Sequence, residues 1–111
     1  MIKVEEAWEI IRSNADKAQL AYAVWHSAKR HTPYEIANTR KDSIGIHRKD
    51  KQIIETLTKA VVEQKAKKLL DAGGRIPVGQ LISSTSKETA FVYFHHQLTW
   101  SEDLNFIEVI H

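Results

Sequence analysis

Two adjacent histidines, His95 and His96, are the residues of this chain whose chemistry best suits proton transfer near neutral pH. Tyr93 stands just before them, and Arg75, Ser83 and Thr85 lie a little upstream. Metal-independent cleavage of RNA needs this mixture. One group takes the 2′-hydroxyl proton, one protonates the leaving oxygen, and a cation offsets the charge of the transition state. His95, His96, Arg75 and Tyr93 are therefore the candidate catalytic set. A strand reading of residues 89–97 sets a condition on them, because successive strand side chains point to opposite faces. Tyr93 and His95 then share one face, taken as the solvent side, and His96 joins Val92 and Phe94 on the other. The plainer use of the pair is a strand ending at the rim of the domain.

The second chemical feature is charge. The chain has 111 residues and a net charge of +2, unevenly spread. Residues 1–16 carry a net −2, residues 17–75 a net +7 and residues 76–111 a net −3. Between Lys29 and Lys51, seven Lys and Arg stand against three acids. Lys29, Arg30, Arg40, Lys41, His47, Arg48, Lys49 and Lys51 form the candidate nucleic-acid contact set, since each neutralised phosphate releases counterions. Lys and Arg near helix C-termini also complement the helix dipole, a duller use of the same residues. Plain solvated charge, or an acidic protein partner, is the other use of the segment.

Other chemistries lack their residues. There is no cysteine, which removes disulfides, thiol catalysis and thiolate metal sites. His26 and His31, five apart, do not share a helix face, and no HExxH or Asp-x-Asp loop appears, so no metal and no cofactor is expected. Gly73-Gly74 follows a helical pattern instead of opening one, which is wrong for a phosphate loop. Tyr34 to Arg48 fits a helix-turn-helix poorly, with Lys41 where the turn glycine belongs. No apolar run approaches the roughly 20 residues that span a bilayer. The acidic start is unlike a signal peptide. A cytoplasmic location without membrane contact is the expectation.

These residues need elements to position them. Val4, Trp8, Ile11, Ala15, Ala18, Tyr22 and Trp25 recur in steps of four and three, which predicts a first helix to about His31, with a capping-box pattern at Ser13–Asp16 that would split it. The seam is long enough to pair with a second copy, so a homodimer through residues 4–25 is a candidate assembly. Thr32-Pro33 ends it. Residues 33–49 show the weakest periodicity, with a turn or two over Tyr34–Thr39 and a loop at Gly45. Asp50 reads as the N-cap of a second long helix, Lys51 to Ala72, stopped by Gly73-Gly74. Ile76–Ser83, Thr89–Gln97 and Asn105–His111 read as strands, with turns at 84–88 and 101–103.

The predicted fold is a single α+β domain over residues 1–111: two long helices followed by a three-stranded antiparallel sheet. That outline is similar to the architecture of barnase-like and RelE-like ribonuclease toxins, without a shared motif. The functional expectation is a small nucleic-acid-directed protein, RNA favoured, with metal-independent cleavage as an extension. The alternative is a small protein-binding inhibitor or regulator of the immunity or phage-accessory kind, without catalysis.

Overall fold

The computed structural model describes residues 2–82 and 87–110. Helix α1, Val4–Leu20, buries Trp8, Ile11, Ala15 and Ala18, four members of the seam read from the sequence. The helix stops well before His31. Ala23 N–H bonds the Ala18 carbonyl (2.9 Å) and Tyr22 N–H that of Gln19 (3.1 Å). This is a Schellman ending, with Tyr22 in the left-handed region at φ 52°. Tyr22 and Trp25 thus leave the helix. Trp8, Ile11, Ala15 and Ala18 face the chain's own core.

Four strands follow: β1 (Val24–His26), β2 (Pro33–Thr39), β3 (Ser43–Arg48) and β4 (Ile53–Thr58). They pair as an antiparallel meander in the order β1-β2-β3-β4. Trp25, Tyr34, Ile36, Ile44, Ile46 and Leu57 point inward and are buried. Gly45 lies inside β3 because the Asn38 side chain crosses it, so a Cβ there would run into that amide. The pairing of β2 with β3 shifts between Ile36 and Asn38 at this point.

β1 covers only residues 33–35 of β2, and α1 lies along the strand beyond it. Trp8 Nε1 donates to the Lys41 carbonyl (2.8 Å), Arg12 Nε to that of Arg40 (3.0 Å) and Gln19 Nε2 to that of Ala37 (3.0 Å). The Thr39 hydroxyl donates to Asp16. Residues 8, 12, 16 and 19 form one helical stripe, so a single helix face lies along the end of β2 and the turn that follows it.

Helix α2 is Lys59–Asp71, with the Thr58 hydroxyl accepting from Val61 N–H at its start (3.3 Å). Gly74 N–H to Leu69 and Gly73 N–H to Leu70, both 2.9 Å, end it in a second Schellman motif. Then come β5 (Arg75–Pro77), the single turn α3 (Val78–Leu81), α4 (Thr89–Phe94), β6 (Leu98–Trp100) and β7 (Phe106–Val109). The last strands form a second antiparallel sheet in the order β5-β7-β6. Ile107, Val109, Phe91 and Leu69 join Trp25, Tyr34 and Ile46 in the buried core.

The class α+β holds, but the predicted order of two long helices and then a three-stranded sheet does not. A four-stranded sheet stands between α1 and α2. The Asp50 cap and the first part of the predicted second helix are turn and strand, because Ile53–Thr58 is rich in β-branched residues that pack on a pleated surface. The predicted strand Thr89–Gln97 is mostly helix α4. Its apolar run is buried on several sides, and such a run carries no period that separates strand from helix. The outline shared with ribonuclease toxins falls with this order. Ser83 and Thr85, and most of the turn read over 84–88, lie outside the described residues.

Candidate functional site

The outward face of the four-stranded sheet is built by a row of paired positions. Val24 stands opposite Glu35, Glu35 opposite His47, and His47 opposite Ile54. A cleft of about 400 Å³ opens on this face. Ala18, Tyr22 and Ala23, where α1 passes into β1, make one wall, and Ile54 of the edge strand the other. Tyr22 is 86% exposed and Ile54 62%.

A hydrogen-bonded chain of polar groups lines the cleft between those walls. Glu35 Oε1 lies 3.0 Å from His47 Nδ1, and His47 Nε2 lies 3.1 Å from Gln52 Oε1. Gln52 is held in turn, its Nε2 donating to the Lys49 carbonyl (2.9 Å). Lys49 Nζ reaches Glu35 Oε2 at 3.5 Å. The hydrogen bond from His47 holds the Glu35 carboxyl below its ordinary value, opposed by desolvation and helped by Lys49. The cleft therefore joins apolar walls to a few fixed polar groups, the usual make-up of a ligand site.

The structure sorts the candidate cations into separate places. The β1–β2 connection and the β3–β4 turn lie at the same end of the sheet, tied by Lys49 N–H to the Pro33 carbonyl (3.0 Å). Lys29, Arg30, His31, Lys49 and Lys51 stand on these two connections, and of them Lys49 reaches the cleft's Glu35. Arg30 and Lys51 are exposed and form no ion pair among the described residues. Among the described residues Lys29 Nζ meets only the neutral Asn105 amide, at 3.4 Å. Arg48 forks onto Asp50 (2.8 and 3.2 Å). Arg40 and Lys41 lie in the turn at the far end of the strands, about 20 Å away at the rise of an extended chain.

The candidate catalytic residues are likewise parted. His95 ends α4 and is buried at 1% exposure, and His96 beside it is exposed against Ser13 and Asn14 of α1. Burial pushes the His95 ring down to about 4, with His96 adding to the effect. Its Nδ1 accepts from Gln97 N–H at 3.2 Å, and its Nε2 is buried without a hydrogen-bond partner among the described residues. Tyr93 is exposed but stacks on Trp25, ring centres 5.5 Å apart. Arg75 lies on the smaller sheet, 3.7 Å over the Phe106 ring and 2.9 Å from Glu108. Among the described residues no hydrogen bond, ion pair or ring contact joins Arg75 or Tyr93 to either histidine.

Tyr22, Glu35, Gln52 and Ile54 were not singled out by sequence as a site. Their signal is the alternation Tyr34, Ile36 and Ile44, Ile46 on either side of Arg40–Asp42, a hairpin pattern whose other face must carry Glu35 and His47. Among the described residues no group of three or more His, Asp or Glu could hold a metal, and no helix is long and apolar enough to cross a membrane. Comparison of the chain with protein-family models, with curated proteins and with solved structures gives no match.

Proposed function

We propose that this protein binds nucleic acid, RNA first, through the basic end of its four-stranded sheet and the open face beside it. The observation that supports the reading is the placement of Lys29, Arg30, His31, Lys49 and Lys51 on two separate connections at one end of the sheet. Cations from distant sequence positions carried on one end of a sheet suit a phosphate chain laid across that end. The reading is one of binding. A step of cleavage would need His95, His96, Arg75 and Tyr93 to act together, and their placement lends that step no support.

The test is fluorescence anisotropy with a labelled RNA oligonucleotide at rising salt. Binding should weaken steeply, with each lost phosphate contact lowering the log–log salt slope by roughly 0.7–0.9. Arg30→Ala with Lys51→Ala should weaken binding and flatten that slope. Arg40→Ala with Lys41→Ala, at the other end, should change little. Salt-independent binding, or none, overturns the reading.

One observation favours a protein partner as the second reading. Edge strand β4 exposes Ile53 and Ile54, at 44% and 62%, and an apolar strand edge can accept another strand. Co-purification from extract separates the two: a partner that survives nuclease treatment favours protein.

A further inference from the structure

We propose that the cleft receives one unpaired base of a single-stranded nucleic acid, with Tyr22 as its stacking platform. This rests on the nucleic-acid reading above and names the strand state that the site selects.

The two Schellman endings make the argument. They share the same hydrogen bonds, and each needs a left-handed residue just past the helix. In α2 that residue is Gly73, at φ 80°. In α1 it is Tyr22, at φ 52°. Glycine adopts this conformation freely, whereas a side chain is strained there. Burial does not offset the strain, because the ring is 86% exposed. An aromatic ring kept in solvent at a strained position points to a contact made with something else.

The surroundings say what kind. The ring stands at one wall of the cleft and Ile54 at the other, and between them Glu35, His47 and Gln52 offer hydrogen-bonding groups. Lys49 reaches Glu35 from the basic turn, so a cation stands within 3.5 Å of the cleft's carboxylate. A base seated between the walls would leave its phosphate toward Lys49 and Lys51. A duplex hides both faces of each base by stacking, so only an unpaired strand can offer one to Tyr22. Stacking of this kind accepts any base.

The experiment compares a labelled single strand with the same strand annealed to its complement, using the full chain and its Tyr22→Gly and Tyr22→Phe variants. The single strand should bind more tightly than the duplex. Tyr22→Gly should weaken single-strand binding by roughly 5- to 150-fold, the range for loss of one base–aromatic stack. Tyr22→Phe should retain it. The melting temperature of Tyr22→Gly should not fall, which rules out unfolding as the cause. Equal binding of duplex and single strand, or Tyr22→Gly binding like the parent, overturns the proposal. If Arg30→Ala with Lys51→Ala weakens binding while Tyr22→Gly does not, the nucleic-acid reading stands and this one fails. If no oligonucleotide binds, or a protein alone binds, both fail.

Discussion

His95 shows how one residue's surroundings decide its chemistry. Its ring is buried, and burial holds it neutral by lowering its proton affinity to about 4 from 6.5. In the unfolded chain the ring regains its ordinary affinity, so the unfolded state takes up the proton first. The stability due to the neutral ring is whole above about pH 6.5 and is lost as pH falls toward 4. At pH 5 the loss is about 2 kcal/mol, from the standard relation of affinity to free energy. Urea unfolding at pH 7 and pH 5 should show it, and His95→Leu should show less of it. An equal pH response in parent and variant would mean that His95 does not govern this window. Strand alternation predicts His95 on the solvent side with Tyr93 and His96 inward, and the structure reverses the two histidines because the segment is a helix end and not a strand. They close a helix, and it is His95 that turns inward while Tyr93 is exposed.

At the scale of elements, the α2 ending was legible because glycine announces a left-handed position, and the α1 ending was not because tyrosine does not. The steps of four and three ran on through Tyr22 and Trp25 by coincidence. Trp25 is buried from a strand, stacked on Tyr34 at 5.5 Å. In the same way, Glu55 and Lys59 stand four apart but belong to strand and helix. Local spacing does not reveal that Ile53–Thr58 is claimed by β3, a pairing set by tertiary contact. The Tyr22 conformation has a measurable cost. A non-glycine residue in the left-handed region loses about 1 kcal/mol, so Tyr22→Gly should raise stability by about that amount, read from the urea midpoint at an unchanged slope. A destabilised Tyr22→Gly protein would show that the ring supports the fold, and its exposure would then need another explanation.

At the scale of the whole molecule, the question is whether the two sheets unfold together. Trp25 ties the larger sheet to α4. It stacks on Tyr34 of the larger sheet and on Tyr93 of α4, meets Phe94 edge-on at 4.9 Å, and donates from Nε1 to the Thr89 hydroxyl at 3.3 Å. The buried residues of both sheets form one cluster. The radius of gyration, 12.9 Å, agrees with the roughly 13 Å of a single domain this long. One cooperative transition is therefore expected, with far-ultraviolet dichroism and tryptophan fluorescence following the same urea curve. Trp25→Ala removes a buried ring from the joint, at a cost of about 3–5 kcal/mol. Because α4 packs in turn on β6 of the smaller sheet, the loss should lower one common midpoint without splitting the transition. Two separated transitions, in the parent or in Trp25→Ala, would mean that the smaller sheet folds apart from the larger. Trp25→Ala would then lower only the first of them, and the basic end of the larger sheet could be studied without the smaller one.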